Sequence, residues 1–131
     1  MTASAIGESL ELAAERAGDI TPLVYDKLFA RHPDMLPLFV RDKTGQVRGE
    51  MLARTIDVIL DVTNGNAYGE NFVRCEVVTH DGYGVPRDVF PAFFEAIADT
   101  LREILGPDWS SDMARAWTAL LLRFNALCDR T

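Results

Sequence analysis

The stretch FPAFFEAIADTLREILG, residues 90–106, decides the fold. Phe90, Phe93, Phe94, Ile97, Leu101, Ile104 and Leu105 fall at i, i+3, i+4, i+7, i+11, i+14 and i+15, one wide apolar stripe of helical period. Pro86 suits the first turn of this helix, and LGPDW ends it, with Gly106 at the C-cap and Pro107 beyond. A second long helix follows Ser110 or Ser111 and sets Met113, Trp117, Leu120, Leu121, Phe124 and Cys128 on one face.

The first half of the chain is helical too. Leu10, Ala13, Ala14 and Ala17 make a modest stripe that stops at Gly18. DITPLVYDKLF restarts the helix, with Thr21 as its N-cap and Pro22 at the first helical position. Pro33 and Pro37 break the chain after Phe29 and leave a short turn through HPDMLPLF. A further helix holds Leu52, Ile56, Ile59 and Leu60 on one face and ends in TNGNAYGEN, rich in turn formers. The β-branched residues of NFVRCEVVT would suit a strand, yet Val73, Val77 and His80 recur at helical spacing. A lone strand among helices has no partner, so this stretch reads as a short helix. The fold class is all-α.

At 131 residues the chain reads as one domain, residues 1–131, without repeats or linkers. Its net charge of −7 repels polyanions, so nucleic acid is not an expected partner. No apolar run approaches the roughly 20 residues of a membrane helix, so a membrane is not expected either. The N-terminus carries Glu8, Glu11 and Glu15 and has no basic start, unlike a secretory signal. Cys75 and Cys128 lack metal-ligand spacing and read as reduced thiols in a cytoplasmic protein.

Several chemistries lack their residues. There is no HExxH, no CxxC pair and no GxxxxGK loop. DGYGVPR places Arg87 where a dinucleotide loop needs its third glycine, and DVTNGNAYGE lacks the alternating oxygen ligands of a calcium loop. What remains is one of only two histidines, His80, on an apolar helix face in VVTHDGYGVPRDVF, residues 77–90. It reads as a satisfied core residue, a general base or a metal ligand. One histidine cannot hold zinc, which needs three or four protein ligands. It can hold haem iron, because the porphyrin supplies the other nitrogens in its plane. The second ring nitrogen then needs an acceptor, for which Thr79 or the carbonyl of Glu76 is in reach. Apolar walls for a flat cofactor are available in Phe39, Leu52, Val85, Phe90 and Phe93.

Over almost its whole length the chain resembles the bacterial single-domain globins and the globin domain of flavohaemoglobins. VYDKLFARHPDMLPLF is similar to that family's second and third helices, with Tyr25 at the distal tyrosine position and Phe39 at the phenylalanine that wedges the haem. HDGYGVPRDVFPAFFEAIADTLREILG and DMARAW resemble its proximal histidine, the corner after it and the last two helices. The resemblance implies a globin fold of about six to eight helices around a haem pocket. It implies haem b (iron protoporphyrin IX) as cofactor, with His80 as the iron ligand, Tyr25 facing the open sixth position and Leu52 over the distal face. Dioxygen, carbon monoxide and nitric oxide are the implied small ligands. A hydroxyl donor in a dry pocket stabilises the partial negative charge that bound dioxygen takes.

Two positions depart from the family pattern. Arg48, one turn before Leu52, stands where glutamine or histidine is usual. Its guanidinium either donates to the bound ligand or swings out to a haem propionate or to solvent. The second is preferred, since a buried unpaired charge is expensive. Phe90 aligns with the proximal tyrosine, and the glutamate of the same network would fall at Thr131. That weakens peroxidase-like or nitric oxide dioxygenase chemistry. The expected function is therefore reversible dioxygen binding, for storage, delivery or ligand scavenging, by a monomer or homodimer. A nitric oxide dioxygenase served by a separate reductase, and a haem-free sensor or interaction domain, are the alternatives. His32 reads as a surface cap, Tyr83 as packing at the corner, and Trp109 and Trp117 as anchors.

Overall fold

The computed structural model describes residues 2–65, 68–82, 85 and 89–130. Among them lie six α-helices, two 3-10 segments and no strand, as the periodicities require. Helix α1 spans Thr2–Ala17, α2 Thr21–Arg31, α3 Gln46–Thr63, α4 Tyr68–Gly82, α5 Val89–Leu105 and α6 Ser111–Arg130. The 3-10 segments are Pro33–Phe39 and Gly106–Asp108. None of the described helices is long and apolar enough to cross a membrane.

The helix ends follow from local chemistry. Gly18 adopts φ +66° and donates its N–H to Ala14, closing α1. At the start of α2 the acceptor is Asp19, not Thr21: Asp19 Oδ1 takes the Thr21 N–H at 3.0 Å and the Thr21 hydroxyl at 2.6 Å. Thr21 is itself the first helical residue, with Ile20 at the N-cap, and its hydroxyl donates to Asp19. These bonds hold the Asp19 carboxyl below its ordinary value. Pro33 disfavours a helical His32, which adopts φ −134° and ψ 71°, so α2 ends there. Ser110 Oγ accepts the Met113 N–H at 3.1 Å and caps α6. Pro86 and Tyr83 lie outside the described residues.

Helix α5 is the hub, packing against α1, α2 and α6, while α3 packs on α4. Phe94, Ile97, Leu101 and Leu105 are buried in the core, each worth about 1.5–3 kcal/mol of transfer free energy. Phe94 stacks on Phe124 of α6, ring centroids 4.3 Å apart and planes 9° apart. Phe90, Phe93 and Ile104 from the same stripe are only half-buried. The stripe is therefore shared between the core and a cavity beside it. NFVRCEVVT is helical, within α4, with Val73 and Val77 in the core.

The buried face of α1 differs from the alanine stripe. Ala14 and Ala17 are exposed; Ile6, Ser9 and Ala13 are buried. Ser9 takes its place inside because its hydroxyl is satisfied twice. It donates to the Ile6 carbonyl at 2.6 Å and accepts the Trp117 indole N–H at 2.9 Å, tying α1 to α6. Helices α3 and α4 meet closely at Gly69, whose N–H donates to Asp61 at 2.6 Å. A Cβ there would lie 2.8 Å from Val62 Cγ2 and 2.9 Å from the Val58 carbonyl oxygen. Only glycine admits this approach.

Candidate functional site

Beside α5 the packing leaves a cavity of about 690 Å³, within the range of about 300–1,000 Å³ usual for cofactor sites. Helix α2 contributes Tyr25 and Leu28, and the first 3-10 segment contributes Met35 and Phe39. Val47, Met51, Thr55 and Val58 of α3 recur at i, i+4, i+8 and i+11 and form a third wall. The rest comes from Phe72, Val73, Glu76 and His80 of α4, from Val85, and from Val89, Phe90, Phe93 and Phe94 of α5. The lining is overwhelmingly apolar, so the few polar atoms in it carry the chemistry.

The first of these is the Tyr25 hydroxyl. Tyr25 is buried, and its ring is held by Phe29, Phe39 and Phe93, with centroids 5.7, 5.5 and 5.4 Å away. Among the described residues its Oη is the one buried side-chain polar atom without a hydrogen-bond partner. Leaving such a group unpaired costs about 1–3 kcal/mol, so an acceptor in the cavity would relieve a standing penalty. Burial pushes the phenol above its ordinary value; the nearby Arg48 charge pulls it down and Asp42 pushes it up. The hydroxyl therefore keeps its proton and acts as a donor.

The second is the His80 imidazole, on the last turn of α4. Its Nδ1 lies 2.8 Å from the Glu76 carbonyl oxygen, which can only accept, so Nδ1 carries the proton. Nε2 is then the nitrogen that bears the lone pair, the form in which an imidazole binds a metal. Glu76 Oε2 is 3.4 Å from Nδ1. The Phe90 ring meets the imidazole edge-on, with centroids 5.0 Å apart at 88°, and fixes its plane without a hydrogen bond. Among the described residues no group of three or more His, Cys, Asp or Glu could hold a metal ion. A single imidazole suits a metal whose other ligands come with it, as in a porphyrin.

Polar groups also stand at the rim. Asp42 lines the cavity, and its side chain is only 6% exposed. Burial would raise its carboxyl, but bonds from the Arg48 and Val47 N–H groups and from the Arg48 guanidinium outweigh this and hold it below its ordinary value. Arg41 and Arg54 line the mouth and are exposed. They suit the carboxylates of an apolar cofactor whose edge meets solvent.

The structure brings Tyr25, Phe39, Val85, Phe90, Phe93 and His80 around one cavity. Arg48 and Leu52 do not line it. Leu52 is buried in the main core, and Arg48 is bonded to Asp42. On α3 the face toward the cavity lies one residue back, on Val47 and Met51, because the Leu52 face is used in the core. Sequence reasoning missed Met51, Thr55 and Asp42. For Asp42 a signal existed, since an Asp shortly before a helix start is a ready acceptor for its N–H groups. His32 is half-buried at the joint between α2 and the 3-10 segment and does not line the cavity.

The described helices and the cavity fit one family. A family model for Globin matches residues 23–127, which takes in both Tyr25 and His80. No curated protein matches the chain.

Proposed function

The chain belongs to the globin family, and from that premise we propose that it holds haem b in the 690 Å³ cavity and binds dioxygen reversibly. Family membership speaks for haem and oxygen binding in general; the assignment of residues is our own reading. The observation that carries it is the buried Tyr25 hydroxyl, without a partner among the described residues, in an apolar cavity that also bears a His80 imidazole protonated on Nδ1.

A bound haem supplies the iron at which dioxygen is held. His80 would hold that iron through Nε2, in the tautomer set by the Glu76 carbonyl. The Tyr25 hydroxyl would donate to the partial negative charge that a bound ligand takes. Its three aromatic neighbours hold it in place beforehand, so little reorganisation is needed. Met51, Val58 and Phe39 keep water away, which slows oxidation. Arg41 and Arg54 offset the cofactor's carboxylates at the rim. Within the family, we place the chain with the bacterial single-domain and flavohaemoglobin-type globins, on the combination of Tyr25 and Phe39. A cytoplasmic setting belongs to the same reading, since the exposed Cys75 thiol is free.

A second reading draws on Glu76. Its carboxylate, 3.4 Å from His80 Nδ1, could make the imidazole more electron-rich, as a nitric oxide dioxygenase with a separate reductase would need. Phe90, which brings no hydroxyl to His80, favours simple binding. The test is to reduce the haem-loaded protein and cycle it between dioxygen and argon, following its absorption. Repeated, complete spectral reversal supports reversible binding. Rapid oxidation in each cycle, with fast nitric oxide consumption when a reductase is added, supports the dioxygenase instead.

A further inference from the structure

The loop DKTGQVR, residues 42–48, folds back on itself. Gly45 adopts φ +80°, which lets Asp42 return to the N-terminus of α3. There Asp42 Oδ1 accepts the Val47 N–H at 3.1 Å, and Oδ2 accepts the Arg48 N–H at 3.0 Å. Oδ2 also accepts Arg48 Nε at 3.0 Å, while the Asp42 main-chain oxygen accepts Arg48 Nη2 at 2.9 Å. One residue thus caps a helix and grips a guanidinium at two points. Asp42 faces the cavity; Arg48 does not.

We infer that Asp42 tunes the ligand specificity of the cavity, by latching Arg48 so that the pair brings no net charge to the wall beside Tyr25 and gives anionic ligands no advantage over neutral ones. The inference rests on the haem reading above. Asp42 and Tyr25 line one cavity, and Arg48 Nε is 3.0 Å from Asp42 Oδ2, so both charges lie close enough to act on a ligand beside the hydroxyl. With both present the pair cancels. Without Asp42 the Arg48 charge is uncompensated at a wall of low polarity, and its long stem is free to turn inward. The cavity would then favour anions.

The test is fluoride binding by the ferric haem-loaded protein, with carbon monoxide affinity of the ferrous form as the neutral control. Asp42→Asn keeps one oxygen for the Val47 N–H, and removes the charge together with the oxygen that accepts from Arg48 N and Nε. It should raise fluoride affinity on the order of tenfold, the size of one unit charge roughly 10 Å away at an effective dielectric of about 20. Carbon monoxide affinity should move by less than about twofold, because a neutral ligand feels that charge weakly. Adding Arg48→Gln to Asp42→Asn should return fluoride affinity to within about twofold of the native protein, since the coupled pair is then wholly neutral. A merely structural Asp42 would show no such rescue. Unchanged fluoride affinity in Asp42→Asn, or no rescue in the double variant, overturns the inference. The haem-free protein gives an independent reading through the Arg48 Nε–H resonance. Slow solvent exchange in the native chain and fast exchange in Asp42→Asn support the latch; fast exchange in the native chain refutes it. Failure of the native chain to take up haem would sink the haem reading alone, and the Nε–H measurement would still decide the latch.

Discussion

His80 Nδ1 lies 2.8 Å from the main-chain oxygen of Glu76, one turn earlier on the same helix. A carbonyl cannot donate, so this contact decides the tautomer and leaves Nε2 as the nitrogen with a lone pair. The same cavity is lined by a tyrosine hydroxyl that has no partner among the described residues. An imidazole in the metal-binding tautomer and a buried phenol donor thus line one apolar space.

Tyr25→Phe should have opposite effects on the empty and the loaded protein. In the haem-free protein it removes a buried hydroxyl that lacks an acceptor, so stability should rise, by about 1 kcal/mol. In the loaded protein it removes the donor to the ligand, so dioxygen should leave about tenfold faster, the equivalent of one hydrogen bond. Urea unfolding and stopped-flow dioxygen release measure the two. A less stable haem-free variant would show that the hydroxyl has an acceptor in the empty cavity.

Asp42→Asn should change the acid limb of the stability curve. The folded-state carboxyl is held below its ordinary value of 3.8, so its contribution is fully present above about that pH and disappears as pH falls through the lower folded value. At pH 7 the variant should be less stable than the native protein. The gap should close progressively on acidification below pH 3.8. Thermal unfolding at a series of pH values checks this; a gap that stays constant down to pH 2 would contradict it.

Two glycines should respond with opposite signs. Gly69→Ala drives a methyl against Val62, the Val58 carbonyl and Asp61, and should destabilise by about 1–3 kcal/mol as an overpacked contact. Gly49→Ala, within α3 and with nothing within 4 Å of its added carbon, should stabilise by about 0.5–1 kcal/mol. Denaturant unfolding of both variants tests whether α3 and α4 really meet at Gly69.

Ser9→Ala leaves the Trp117 indole N–H without its acceptor in a site that is 1% exposed. The expected loss is about 1–3 kcal/mol, with a change in tryptophan emission as the indole loses its bond. A neutral substitution would mean that water replaces the serine.

The helices were legible in the sequence where one apolar stripe meets one neighbour. Helix α6 is such a case, and its Met113, Trp117, Phe124 and Cys128 are all buried. Helix α3 is not. Its Leu52 face packs into the core while its Val47–Met51 face meets the cavity, and periodicity alone does not say which stripe meets which neighbour. In α1 the alanines were poor guides, because a single methyl group gains little from burial. Buried Ser9 hid the true face, since a hydroxyl counts as polar until its partner Trp117, 108 positions away, is known. Tyr25 and His80 both line the cavity; the sequence offered His80 by its place on an apolar helix face, and Tyr25 only through the resemblance to the globins. The latch between Asp42 and Arg48 depends on a loop turning back through Gly45, and no periodic pattern announces it.

The most direct test of the central claim is a haem titration of the purified chain beside His80→Ala, followed in the Soret region. The account predicts that the native protein saturates at about one haem per chain, with a band that shifts on reduction and again with carbon monoxide. The variant should keep its helices by circular dichroism yet bind haem more than about a hundredfold more weakly, beyond the 10–100-fold usual for losing an outer-shell partner. A folded native chain with no Soret band, or a variant that binds haem as tightly as the native protein, would contradict it.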